Sequence, residues 1–220
     1  MKSLRVKMMC AALLLGIASA SAQYYEMANQ LQRIITPALT GGFNYKGFVD
    51  ASYLKGLGDK NADFLELTTT QGFTYSSWFF MGVGAGVEVI FTNPHENANP
   101  WQYDYDYSKG HSKTGWIIPL YTDFRFNIGD ATNTSFFIDV RLGASFLLSN
   151  KYLEIGDGFL SNNEHFYLKP ALGIRIPMND SGKQALNVGL SYQLMTSNYW
   201  YRDSRDITLN SLGVSLGFEW

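Results

Sequence analysis

Four charged residues stand two apart in neighbouring segments, Asp123 and Arg125 followed by Asp139 and Arg141. A spacing of two places both members of each pair on one face of an extended chain. If the chain turns about Thr132, Asp123 faces Arg141 and Arg125 faces Asp139, a crossed quartet of opposite charges. The same parity in other segments adds Lys46, Asp50, Glu66, Glu88, Lys169, Arg175 and Glu219. Acids and bases nearly balance, which suits an interior where each charge must neutralise another. The alternative is a gated path for protons or small solutes, although a dedicated pore more often carries one dominant sign.

Other chemistry is less legible. Trp101, Tyr103, Tyr105 and Tyr107, interleaved with Asp104 and Asp106, form an aromatic run, and Tyr199, Trp200 and Tyr201 form another. Such rings offer contact area to a protein or glycan at low entropic cost, or they anchor a loop at an interface. Asp104 and Asp106 begin like a calcium loop, but Lys109 and Gly115 stand where glycine and an acid are needed, so no metal is expected. Gly82, Gly84 and Gly86 precede no helix and do not make a nucleotide fingerprint, and no cofactor is expected. His95, His111 and His165 lie in or beside long connections without an H-E-x-x-H motif. Solvation accounts for them, the sharper alternative being a site in which His111, Ser112 or His165 joins Glu164.

The elements that carry these residues read as strands. Phe79 to Phe91, Trp116 to Ile128, Phe136 to Leu148, Phe166 to Ile176, Leu186 to Leu194 and Leu212 to Trp220 all alternate apolar residues with small or charged ones. Phe43 to Tyr53 and Leu65 to Tyr75 are weaker strands, bringing the total to eight, enough to close a small barrel. In the six clear strands the apolar parity has no charge and no glycine, while the other holds eight charges and Gly82, Gly84, Gly86, Gly143, Gly173, Gly189, Gly213 and Gly217. An eight-stranded interior barely admits side chains, so the large nonpolar rows are expected to face lipid, with small and ionised groups along the axis. A soluble sandwich or lipocalin would put long polar side chains, not glycine, on its wet face. Connections alternate long and short, and Tyr75, Trp78, Phe79, Phe126, Phe136, Phe218 and Trp220 collect at the short-turn end as an interfacial girdle would. Pro119 and Pro170 fall inside strands and are expected to mark bulges or lie near a rim.

Residues 1–22 have the order of a secretory leader: Lys2, Arg5 and Lys7, an apolar run from Met8 to Ala18, then Ala20-Ser21-Ala22, with cleavage expected after Ala22. Cys10, the only cysteine, would leave with it. Residues 23–40 space Met27, Leu31, Ile34 and Ile35 as one helical face, a short periplasmic segment before a barrel over residues 41–220. The whole sequence has 17 cations against 19 acids, and losing three leader cations leaves 14 against 19. This is no electrostatic footprint for nucleic acid.

With these features the chain resembles the small outer-membrane β-barrel proteins of the OmpX, OmpW and OmpA-barrel type, the porin-like outer-membrane barrels of Gram-negative-type envelopes. The resemblance spans the mature chain. Its most specific part is the end, where Leu212, Val214, Leu216, Phe218 and Trp220 alternate up to a terminal aromatic, similar to the signal read by the barrel assembly machinery. It implies an all-β fold, an eight-stranded antiparallel up-and-down transmembrane barrel. Its partners would be outer-membrane lipid, lipopolysaccharide and the assembly machinery, with loops at the cell surface. It does not fix an activity. A non-enzymatic structural or adhesin-like role through the loops is expected, with a narrow channel and a lipopolysaccharide-modifying enzyme as alternatives.

Overall fold

β-branched and aromatic residues at alternate positions, punctuated by Gly, Asn, Asp and Ser, make extended chain the favoured state over most of this sequence. A computed structural model describes residues 43–58, 62–75, 78–92, 111–149, 152–155, 158–160, 164–197 and 207–220. It contains eight long strands: β1 (Phe43–Leu57), β2 (Ala62–Tyr75), β3 (Phe79–Thr92), β5 (Thr114–Ile128), β6 (Ser135–Leu148), β9 (Glu164–Pro177), β10 (Ala185–Ser197) and β11 (Ile207–Glu219). They form a closed barrel in the order β1-β11-β10-β9-β6-β5-β3-β2, each strand beside its neighbour in sequence and the last beside the first. This is the antiparallel up-and-down barrel that the alternation predicts. Three short strands, β4 (His111–Ser112), β7 (Tyr152–Ile155) and β8 (Gly158–Leu160), were not foreseen and make a separate small sheet in the order β4-β7-β8.

Each long strand has 13 to 15 residues. A tilted strand needs only about 9–11 to cross hydrocarbon, so the extra residues project beyond it. Several strands therefore outrun the predicted boundaries, chiefly at the end that carries the long connections: β1 continues to Leu57 and β11 starts at Ile207.

At the other end the turns are tight. Between β5 and β6, Asp130 accepts the Thr132 N–H on its side chain (3.1 Å) and the Asn133 N–H on its carbonyl (3.3 Å), and Gly129 takes a φ of 131°. That turn fixes a register in which Asp123 pairs with Arg141 and Arg125 with Asp139, as symmetry about Thr132 predicts. Between β9 and β10, the Asn179 carbonyl accepts the Gly182 N–H (3.0 Å), where φ is 63°. Only glycine adopts such angles without strain.

The prolines correct an expectation. Pro119 sits opposite Ser145 in an unbroken β5–β6 ladder, while the β3–β5 ladder skips from Ala85↔Leu120 to Glu88↔Ile117 without changing register. Pro170 sits opposite Val140 in an unbroken β6–β9 ladder, and the β9–β10 ladder skips from Ser191↔Ala171 to Leu194↔Leu168, again in constant register. Neither marks a bulge, because no residue is inserted, and neither lies at a rim, since Pro119 falls well inside Thr114–Ile128 and Pro170 in the middle of Glu164–Pro177. Each proline interrupts one seam over two pairs while the opposite seam holds the strand.

Candidate functional site

The interior of the barrel is a stack of side-chain layers, and all eleven lumen charges singled out from the sequence lie in it. Ten are almost wholly buried, and Lys46, nearest the turn end, is 16% exposed. In the lowest layer Glu219 of β11 accepts from Lys46 Nζ (2.7 Å), from Arg175 Nε (2.7 Å) and from Asn187 Nδ2 (3.3 Å). Arg175 also donates to the carbonyls of Ala131 (2.7 Å) and Gly182 (2.6 Å). One guanidinium thus ties two turns and the last strand together.

The crossed quartet lies above. Arg125 donates to Asp139 Oδ2 (2.9 Å), and its guanidinium is sandwiched between Phe48 (4.1 Å) and Phe137 (4.8 Å). Stacking on ring faces suits the weakly hydrated planar cation. Arg141 is the hub. It donates to Asp50 Oδ2 across the lumen (2.5 Å) and to Thr68 Oγ1 (3.0 Å), and its Nε lies 3.3 Å from Asp139 and 3.7 Å from Asp123. Next come Lys169, bonded to Glu66 and to Ser52 Oγ (3.1 Å), and Tyr167, whose hydroxyl donates to Glu66 (3.3 Å). Gln193 Nε2 donates to Glu88 (3.3 Å). The inward glycines seat these large groups: a Cβ on Gly84 would lie 2.4 Å from the Tyr121 ring, and one on Gly217 2.0 Å from Asp50 Oδ1. The cavity lined by Asp50, Ser52, Arg125, Asp139, Arg141 and Lys169 has a volume of about 10 Å³, room for about one water.

The loop end of the lumen corrects the expectation that bulk would lie only outside. Inward positions there are apolar: Leu54, Phe64, Ile90, Ile117, Leu147, Met195 and Leu209, all buried. A greasy collar open to water would be unstable, and the short sheet resolves this. Leu153 and Ile155 of β7 and Leu160 of β8 join the collar in one cluster, each 0–1% exposed. We call this three-residue cap the stopper. Sequence parity had placed small and ionised groups along the axis and missed the collar, whose signal was nonetheless present, since those residues all occupy the loop-proximal end of the inward parity. Phe48 and Phe80 form a second apolar layer towards the turn end, their rings edge to face at 4.8 Å.

Outside, the long apolar rows are exposed, including Val83, Leu120, Leu142, Leu172 and Leu190. Trp78, Phe79 and Phe126 pack together at the turn end with ring centroids 5.1–6.1 Å apart, and Phe218 stacks with Trp220 at 6.1 Å. Leu212, Val214, Leu216, Phe218 and Trp220 all face outward. At the loop end Asp63 accepts from Lys55 (2.8 Å), the Gly56 N–H (3.0 Å) and Tyr53 (3.2 Å). Burial pushes its carboxyl up, but these donors outweigh burial and hold it below the ordinary carboxylate range.

Of the alternative rim site, His165 is buried and Glu164 exposed on opposite faces of β9, and the Ser112 hydroxyl donates to the Thr114 carbonyl (2.8 Å). Glu164 and His165 therefore point away from each other across the barrel wall. The leader, residues 23–40 and the aromatic runs Trp101–Tyr107 and Tyr199–Tyr201 lie outside the described residues.

An eight-stranded antiparallel wall, apolar outside and ionic within, defines the architecture of the small outer-membrane barrels. No family model and no curated protein matches the sequence. Among solved structures the chain is similar to Neisserial surface protein A, at 12% identity and a TM-score of 0.53 over 81% of this chain and 97% of that one. It is also similar to the outer-membrane enzyme PagL, at 14% identity and a TM-score of 0.50 over 76% of this chain and 97% of that one. The N-terminal β-barrel domain of Pseudomonas aeruginosa OprF aligns at 10% identity with a TM-score of 0.43, covering 80% of this chain and 97% of the domain. What the chain shares with the first two is the fold.

Proposed function

We propose that this is an exported, non-enzymatic outer-membrane barrel protein whose lumen is a structural ionic core, and which acts as an envelope component or surface-binding protein through its long loops. The observation that carries this reading is the filled interior: Arg141 meets Asp50 and Lys169 meets Glu66 from opposite walls at hydrogen-bond distance, and the cavity among these groups is about 10 Å³. A hydrated ion needs a continuous wet path, and this lumen is occupied by its own side chains. The leader, cleaved after Ala22, would direct the chain out of the cytoplasm. The exposed apolar rows suit the outer membrane and the lipid portion of lipopolysaccharide. The strand ending in Trp220 suits recognition by the barrel assembly machinery. The aromatic run from Trp101 to Tyr107 precedes His111 in the sequence. Rings of this kind would offer a protein or glycan contact area at low entropic cost.

Planar-bilayer recording on the purified protein tests the core. Only background leak is expected, and steady unitary conductance would defeat the structural reading. Deletion of residues 97–109, which spares β4, tests the loops: binding to host or matrix surfaces should fall while folding persists, and unchanged binding would dismiss the adhesive role.

A further inference from the structure

Glycine on the eight long strands follows one rule with one exception. Among their described residues every glycine but one lies on the inward parity, where an added Cβ would meet a lumen side chain, as at Gly84 and Gly217, or the backbone of the neighbouring strand, as at Gly143 and Gly213. Gly47 of β1 faces outward, where a bare position forfeits lipid contact, and yet it is buried. What covers it is the last residue of the chain. A Cβ built on Gly47 would lie 2.5 and 2.6 Å from Cζ2 and Cε2 of Trp220, and 2.8 Å from Gln71 Oε1. Gln71 is held in place on the outer wall of β2: its Oε1 accepts from the Tyr45 hydroxyl, and its Nε2 donates to Thr69 Oγ1 (2.9 Å). Polar side chains facing lipid are costly unless they satisfy one another, and this group does so while forming a wall of the notch. The backbone agrees. The Gly47 N–H donates to the Trp220 carbonyl (3.0 Å), and the Trp220 N–H donates to the Gly47 carbonyl (3.1 Å), extending the β1–β11 ladder one pair beyond Phe48↔Glu219.

We propose that Gly47 and Gln71 form a receptacle for the indole of Trp220, and that seating this ring is the step that closes the barrel. The β1–β11 seam differs from the other seams of the wall: it joins strands at opposite ends of the sequence, so its contacts carry the largest loop-closure cost. A side-chain lock at that seam secures the register when the two edges meet. The inference is independent of what the loops bind. It gives the terminal aromatic a role inside the finished wall, besides any role in recognition by an assembly machine.

Refolding of the full mature chain into phosphatidylcholine vesicles, followed by heat-modifiable migration on gels, isolates closure from recognition. G47V should slow appearance of the folded band about tenfold or more, because the added methyls overlap the indole. A51V, which places the same valine side chain at an exposed outward position on the same strand, should fold at the wild-type rate. G47V/W220A should recover to within about threefold of W220A alone, since removing the ring removes the clash. Wild-type folding of G47V, or a double variant no faster than G47V, would overturn the proposal. A complete failure of G47V to fold leaves the double variant to decide.

Discussion

Arg141 shows how much one side chain carries in a closed interior. Its guanidinium reaches Asp50, Thr68, Asp139 and Asp123 from three other strands and its own, and it lies 5.2 Å from the centroid of the Tyr121 ring. Removing a partner from a buried ionic group costs more than the group's net contribution, because the remaining charges stay desolvated. Arg141→Ala is therefore expected to destabilise the folded barrel by about 3–5 kcal/mol in denaturant titrations from lipid vesicles. Arg141→Lys should recover only part of this, since a point charge cannot serve Asp50 and Thr68 with the same fork. Equal stability of Arg141→Ala and wild type would remove the ionic core as a structural element. The Asp123↔Arg141 and Arg125↔Asp139 pairs were legible in the sequence, since they depend only on a tight turn and a period of two. The Arg141–Asp50 and Lys169–Glu66 contacts were not. They cross the lumen between strands distant in sequence, and their meeting depends on the tilt and stagger of the closed wall, which a single strand does not encode.

Strands were read from alternation, and alternation identified all eight long ones because each presents one face to hydrocarbon. The β4, β7 and β8 strands escaped, being two to four residues long and too short for any period to register. Parity also misassigned the axis. It correctly marked outward rows, but the inward rows change character along their length, ionic in the middle and apolar at the collar. A direct test of the outward assignment is Leu142→Arg, on the exposed face of β6. A cation at that depth should cost about 2–4 kcal/mol in a bilayer, measurable as a shift in the folded fraction against denaturant. In detergent micelles, which deform around the charge, the same substitution should cost much less. An equal cost in both media would indicate that Leu142 does not face lipid.

As an assembled object the barrel is closed twice, by its own ionic core and by the aliphatic stopper, which is the physical basis for expecting silence in bilayer recordings. The sequence carried the architecture because a lipid-facing wall imposes a simple pattern on every strand. It carried the role less well, since the surface connections obey no such pattern. One contact at the turn end has a further consequence. Arg175 grips the turns of two hairpins through the carbonyls of Ala131 and Gly182, groups that every amino acid supplies. Side chains such as Thr132 and Asp180 are thus free to drift, whereas a single glycine inserted after Ala131 would move the carbonyl out of reach and should lower the thermal midpoint more than Asp180→Ala does. Apart from Gly129 and Gly182, that rim is tolerant of spelling and intolerant of length.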